Sequence, residues 1–258
     1  MMEQHPIDLA GRTVLVTGAS SGIGEHLVRR LSAAGANIVL GARRKDRIAA
    51  LAEEIADAGG RAVALPLDVT SEASVVAAYD AAERVFGTVD SVIANAGIQQ
   101  PGTALEISAE DFDAVYAVNV RGVFLTAREG ARRMIAAGSL QSGRGRIVII
   151  SSITADTVTP GIAAYSSSKA AVLKLSRLLA REWARKGVNV NAVCPGYIKT
   201  ELVGDYFDTE AGQRDAGRWI RKRLLDVEDL DEIVLYLCSD RSRHVTGSAF
   251  TIDDGQSL

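Results

Sequence analysis

The sequence predicts a doubly wound α/β fold, in which a parallel sheet of about seven strands carries helices on both faces. Three observations predict it. Short β-branched runs alternate with helical segments six times before a closing strand. The first strand-to-helix turn is a glycine cluster, Gly18-Ala19-Ser20-Ser21-Gly22-Ile23-Gly24. No Pro/Ser-rich linker, charge block or low-complexity tract divides the chain, so residues 1–258 read as a single domain. With 47% hydrophobic residues among 258, the chain can bury a full core without a disulfide or a metal staple.

Composition narrows the function. A formal net charge of -3 shows no large basic excess, which argues against nucleic acid as a partner. Cys194 and Cys238 have no CxxC or Cys/His spacing, so a reduced, metal-free intracellular protein is expected. No apolar run approaches the ~20 residues that cross a bilayer, so no membrane partner is expected. Residues 1–10 include Glu3, His5, Pro6 and Asp8, the wrong chemistry for a secretory h-region. A cytoplasmic, soluble protein is the expectation.

Thr13–Thr17 reads as the first strand. Beyond the glycine cluster, Ile23, Leu27, Val28 and Leu31 repeat at helical spacing, and Gly35 closes the segment. Missing side chains let such a loop approach a diphosphate, while the helix start offers free N–H groups and partial positive charge. The spacing is G-x-x-x-G-x-G rather than G-x-G-x-x-G, with the same mechanics. Gly18, Ser20, Ser21, Gly22, Ile23 and Gly24 are therefore candidate cofactor residues.

A second strand at 37–40 ends in Gly41-Ala42-Arg43-Arg44-Lys45. A dinucleotide enzyme using NAD usually places an acid here for the ribose hydroxyls, and none occurs before Asp46. An arginine can instead fork onto a 2′-phosphate. The cofactor expected is NADP(H), with Arg43 the first candidate and Arg44 the reserve; a solvated basic helix turn is the alternative reading.

The third strand, 62–65, leads to Asp68, Val69, Thr70 and Ser71. Asp68 either hydrogen-bonds an adenine amine or serves the turn, and Thr70 or Ser71 caps the next helix. Ser91–Ala94 forms a fourth strand ending in Asn95-Ala96-Gly97, at the sheet edge where such folds bind ligands.

One long helix is expected over 109–137. It carries Asn119 among Val115, Val118, Val123 and Phe124, where a buried amide needs partners. That residue is either functional or a satisfied core asparagine. Arg128, Arg132 and Arg133 read as a solvated face, and 138–145 as a polar loop. Residues 147–150 form a fully buried central strand that delivers Ser151 and Ser152 to the sheet edge. A sixth strand at 188–193 leads into Cys194-Pro195-Gly196-Tyr197-Ile198-Lys199-Thr200. Residues 197–223 break the alternation and read as a substrate-loop insertion, either a mobile lid or an ordinary helical excursion. A helix near 228–239 and a strand at Ala249–Ile252 close the chain.

Tyr165 and Lys169 stand four residues apart at the start of a helix continued by Val172, Leu175, Leu179 and Trp183, so they share a face. A phenol titrates near ~10. A unit charge ~4 Å away contributes about 4 kcal/mol at an effective dielectric of ~20, against ~1.4 kcal/mol per pKa unit. A lowered tyrosine pKa is therefore expected.

At this point the chain resembles the short-chain dehydrogenase/reductase family in its compact single-domain, Rossmann-like form. The resemblance runs from Thr13 to Gly255 and rests on Thr17-Gly18-x-x-x-Gly22-x-Gly24, Asp68-Val69, Asn95-Ala96-Gly97, Asn119, Ser152, Tyr165-x-x-x-Lys169 and Pro195-Gly196. It implies hydride transfer between a nicotinamide and a carbonyl or alcohol carbon of a small molecule. Tyr165 would be the general acid in reduction and the base in oxidation, and Ser152 would hydrogen-bond the substrate oxygen. Lys169 would hold the nicotinamide ribose and lower the tyrosine pKa, while Asn119 would position a proton-relaying water. Pro195, Gly196, Ile198 and Thr200 would embrace the nicotinamide end. Family members that prefer NADP carry a basic residue where Arg43 stands. A homotetramer or homodimer is implied as well.

Two stretches depart from the family's pattern: Arg223-Leu224-Leu225-Asp226-Val227-Glu228 lacks a Gly-x-Pro turn, and Asp253-Asp254-Gly255-Gln256 lacks a second glycine. Rival readings are a 3-oxoacyl-thioester reductase that docks an acidic carrier on the three arginines and an NADP+-dependent alcohol or sugar-alcohol dehydrogenase. From a different class comes a catalytically silent dinucleotide sensor.

Overall fold

The computed structural model describes residues 7–258, so the part of the leader reading that rests on residues 1–6 lies outside the described residues. The β-branched runs form seven strands: β1 Thr13–Thr17, β2 Asn37–Ala42, β3 Arg61–Pro66, β4 Ser91–Ala94, β5 Gly145–Ile150, β6 Val188–Pro195 and β7 Ala249–Ile252. Every neighbouring pair is parallel, in the order β3-β2-β1-β4-β5-β6-β7.

The principal helices are α1 Gly22–Ala33, α2 Lys45–Asp57, α3 Glu72–Phe86, α4 Ala109–Tyr116, α5 Val123–Ala136, α6 Ser139–Ser142, α7 Ala163–Trp183, α8 Glu210–Ala216 and α9 Asp231–Cys238. Successive strand side chains point to opposite faces, and β1 divides its residues accordingly. Val14 and Val16 belong to one buried cluster with Leu27 and Val28 of α1, Leu51 of α2 and Val234 of α9. Leu15 belongs to a second cluster with Val75 of α3, Leu125 of α5 and Val172 of α7. The inner strands are thus buried on both faces, which is why they read as continuous apolar runs, while the edge strands β3 and β7 stay partly exposed.

The helix expected over 109–137 is divided. A π-helical segment, Ala117–Gly122, separates α4 from α5. Its wider turn carries Asn119, which is fully buried and bonded to both backbone groups of Ile98. The polar loop 138–145 contains the single turn α6 and ends in β5. Of the three arginines assigned to a solvated face, Arg132 is exposed, but Arg133 is 16% exposed and pairs with Asp80, Glu83 and Glu129. Arg128 bonds Glu72 of α3. Glu129 is four positions from Arg133 on the same helix, but Asp80, Glu83 and Glu72 lie 50 to 56 positions from their arginine partners, so local spacing gave no sign of those three.

Candidate functional site

From β1 the chain turns to β2 and β3 on one side and returns to β4 on the other. The loops after β1 and β4 therefore diverge and leave a crevice at the carboxyl ends of the strands. A cleft of about 470 Å³ occupies it, lined from Arg43, Arg44 and Asp68 at the β2–β3 side to Ser152, Tyr165 and Tyr197 near β5 and β6.

The glycine loop is held by its neighbour across the crevice. Thr17 Oγ1 accepts the amides of Asn95 and Ala96, both at 3.1 Å, and Asn95 Nδ2 donates to the carbonyl of Thr17 at 2.9 Å. Gly18, Ser20, Ser21, Gly22 and Ile23 line the cleft. Gly24 does not. A Cβ there would lie 2.4 Å from the Gly18 carbonyl and 2.5 Å from Asn95 Nδ2, so its role is to let α1 press against the loop. Ser21 is the N-cap of α1 but makes no side-chain cap, which leaves the first-turn N–H groups open to an anion.

The two arginines after β2 differ. Arg44 Nε donates to Ser20 Oγ at 2.9 Å, and its terminal nitrogens reach Ser21 and Glu201. Arg43 is exposed along the cleft and makes no hydrogen bond or ion pair among the described residues. No carboxylate at the end of β2 answers it. An acid in the lining that feels its charge is Asp68, whose Oδ1 accepts Thr70 Oγ1 at 2.7 Å and the Thr70 amide at 2.9 Å. Those two bonds hold the Asp68 carboxyl below its ordinary range, with Arg43 adding to the effect. Ser71, not Thr70, caps α3. The other residues named on this wall, Val69, Asn95, Ala96 and Gly97, also line the cleft.

At the far end Ser152, Tyr165 and Lys169 converge, each less than a tenth exposed. Lys169 Nζ donates to the Ile150 carbonyl at 2.9 Å and lies 5.4 Å from the centre of the Tyr165 ring. Burial lowers the lysine to about 8 and pushes the tyrosine up to about 12, the latter opposed by the neighbouring Ser152 hydroxyl. The lowered tyrosine expected from spacing is therefore not found. The ammonium sits over the ring and bonds a carbonyl, so desolvation outweighs its charge. Gly97 keeps the space beside it open, since a Cβ there would lie 3.5 Å from Lys169 Nζ and 3.4 Å from Asn119 Oδ1.

Asn119 does not line the cleft; its Nδ2 donates to Ile98 O at 2.9 Å and to Ser168 Oγ at 3.0 Å. Ser168 in turn donates to the Tyr165 carbonyl at 2.6 Å, and Ser151 Oγ to the Lys169 carbonyl at 2.9 Å. The amide thus supports the tyrosine's helix with all of its side-chain polar atoms in use.

Pro195, Gly196, Ile198 and Thr200 also line the cleft, and Thr200 lies against Gly22 of the glycine loop. Beyond them the insertion folds as short helical turns, including α8. Tyr197 stacks on Trp219 with centroids 5.3 Å apart and meets Phe207 edge-on at 5.2 Å. Gln256 Oε1 accepts the Tyr197 amide at 2.6 Å, and its Nε2 donates to the Arg223 carbonyl at 3.1 Å. The departure from the family at Gln256 therefore fixes the floor of the mouth, and the departure at Asp226 closes a capping box with Asp229. Lining residues that the sequence did not single out include Ile98, Ile153, Thr154, Tyr197, Glu201 and Leu202. Tyr197, Glu201 and Leu202 fall within the substrate-loop insertion read over 197–223.

Among the described residues no helix is long and apolar enough to cross a membrane, and no group of His, Cys, Asp or Glu could hold a metal ion. The cleft suits a dinucleotide by its donors: open helix N–H groups, two loop hydroxyls and a free guanidinium at one end, and a buried ammonium at the other.

A family of enzymes described as enoyl-(acyl carrier protein) reductase matches residues 18–257. The chain is 38% identical to oxidoreductase UcpA of Salmonella typhimurium, over 97% of this chain and 96% of that protein. It superposes on a short-chain type dehydrogenase/reductase from Mycobacterium marinum with a TM-score of 0.90 and 36% identity, over 97% of each chain. A gluconate 5-dehydrogenase from Burkholderia cenocepacia, solved with NADP and tartrate, gives a TM-score of 0.91 and 35% identity, again over 97% of each chain.

Proposed function

This chain belongs to the short-chain dehydrogenase/reductase family, and from that membership we propose an NADPH-dependent reductase that converts a ketone or aldehyde to an alcohol, reversibly. It is an oxidoreductase acting on alcohol or carbonyl groups, and its family uses NAD(P). The observation that carries the finer reading is the single cleft, which joins an unpaired Arg43 at one end to a protonated Tyr165 at the other.

Gly18, Ser20, Ser21, Gly22 and Ile23 would hold the diphosphate, Arg43 the 2′-phosphate, and Asp68 and Val69 the adenine. Lys169 would hold the nicotinamide ribose, with Pro195, Gly196, Ile198 and Thr200 around the nicotinamide. Bound NADPH supplies the hydride.

The protein's own part is the proton. Burial keeps Tyr165 Oη protonated at neutral pH, so it can give its proton to a carbonyl oxygen. Ser152 donates a hydrogen bond to the same oxygen as charge develops there. A phenol kept neutral favours reduction, and this supports that direction. The acyl-carrier reading draws no support from Arg128 and Arg133, both of which are paired within the fold. Exposed Phe112 on α4 and Leu178 on α7 support a homo-oligomer, to be tested by sedimentation.

The test is loss of nicotinamide absorbance with NADPH and with NADH against a panel of aryl ketones, diketones, quinones, keto sugars and an acetoacetyl thioester. Turnover that disappears in Tyr165→Phe while cofactor still binds supports the reading. Binding without turnover in either direction would put the silent sensor in its place.

A further inference from the structure

Glu201 stands on the loop after β6, yet its carboxylate reaches the start of α2, 157 and 154 positions away in sequence. One oxygen accepts Arg44 at 2.9 Å and the other accepts Arg47 at 2.6 Å. Glu201 is also part of the cleft lining, beside Arg43 and Arg44. Arg47 makes no other ion pair or hydrogen bond among the described residues. Arg44 has two further acceptors, the hydroxyls of Ser20 and Ser21.

The arginines would otherwise present three positive charges where a 2′-phosphate must lie. Glu201 cancels one of them and adds a carboxylate that repels the phosphate directly. Its two arginine partners hold its own pKa at about 2, so the negative charge is present throughout the working range. The carboxylate also ties the loop of Thr200 and Leu202 to α2, a tie that either cofactor would experience equally.

We propose that Glu201 is a cofactor-discriminating residue: its carboxylate, placed on Arg44 and Arg47 at the cleft mouth, restrains the protein's preference for a 2′-phosphorylated dinucleotide. This rests on the NADP(H) reading above. A 2′-phosphate carries about -1.5 to -2 charges, whereas the ribose hydroxyl of NADH carries none, so removing Glu201's charge acts on one ligand only. The groups are exposed, and the expected change is about threefold to tenfold.

Isothermal titration of wild type and E201Q with NADPH, NADH, 2′,5′-ADP and 5′-AMP tests this. The amide keeps the shape of the side chain and removes its charge. E201Q should bind NADPH and 2′,5′-ADP about threefold to tenfold more tightly, with NADH and 5′-AMP within about twofold of wild type. In 1 M salt, where the Debye length falls to about 3 Å, the gain should largely vanish. Equal changes for all four ligands would overturn the inference and leave Glu201 as a strap; so would a gain that persists in 1 M salt. Wild type that binds NADH more tightly than NADPH would refute the NADP(H) reading. The ratio of 2′,5′-ADP to 5′-AMP would still decide the role of Glu201, because that pair reads the phosphate alone.

Discussion

Ser152 Oγ accepts two hydrogen bonds from Thr154, one from the amide at 3.1 Å and one from the hydroxyl at 3.0 Å. A hydroxyl has two acceptor sites and one proton, so both lone pairs of Ser152 are engaged and its proton is left to donate. Removing the Thr154 hydroxyl frees the serine to turn. Thr154→Val is expected to lower kcat about 2- to 12-fold, the worth of one hydrogen bond of about 0.5–1.5 kcal/mol, with KM less affected. Thr154→Ser should recover the rate. Steady-state kinetics of the two variants check it, and a Ser variant as slow as Val would leave the threonine with a packing role only.

The pH dependence follows from Lys169. Below about pH 8 it is an ammonium, and above that it loses its proton, because burial opposes the charge. Tyr165, pushed to about 12, stays protonated over the same range. The kcat/KM for reduction reports the free enzyme. It should fall on the alkaline side with a midpoint near 8. In Lys169→Arg, whose guanidinium does not deprotonate, that limb should move out of range. A flat profile to pH 9 in wild type would count against any role for the lysine's charge.

Arg43→Ala removes the guanidinium at the β2 end that has no partner of its own among the described residues. Charge-assisted hydrogen bonds of about 1.5–3 kcal/mol imply a loss of NADPH affinity on the order of tenfold to a hundredfold, with NADH unchanged. Fluorescence titration of both cofactors reads this directly. An unchanged ratio would move the assignment to Arg44.

Gly24→Ala tests the loop without touching the cleft lining. The added carbon cannot coexist with the Gly18 carbonyl at 2.4 Å, so the loop must move away from α1. Overpacking of this kind costs about 1–3 kcal/mol. Both cofactors should bind at least about tenfold more weakly, while the circular dichroism of the sheet is retained. Undiminished affinity would show that the loop position is not needed.

Much of the fold was legible because its inner strands are buried on both sides. Val14, Leu15 and Val16 are all fully covered, so the run was continuous and its boundaries were glycines or turns. The crevice was legible for the same reason: Gly18 and Asn95 each follow such a run. What escaped notice is non-local or conformational. A single π turn offsets the helical phase by only about one residue between Val115 and Val123, too little for the apolar spacing to mark the interruption at Asn119. The pairing of Arg133 with Asp80 and that of Glu201 with Arg47 join segments with no sequence relation. Spacing placed Tyr165 and Lys169 on one face, but it carried no information about desolvation, which decides the direction of both their pKa values.

Tyr197, Phe207 and Trp219 belong to an aromatic group that lies outside the seven strands. The segment that carries it is tethered at its margins by the Ile198–Leu225 bridge, the bonds of Gln256 and the arginine contacts of Glu201. No strand of the sheet runs through it. The segment from 197 to 225 can therefore behave as an exchangeable cassette: a lineage could replace its interior to acquire a new substrate while the proton donor and the dinucleotide cradle stay fixed. Grafting that segment from a relative, with its tethering residues retained, should carry the relative's substrate preference across and leave the cofactor preference of this chain behind.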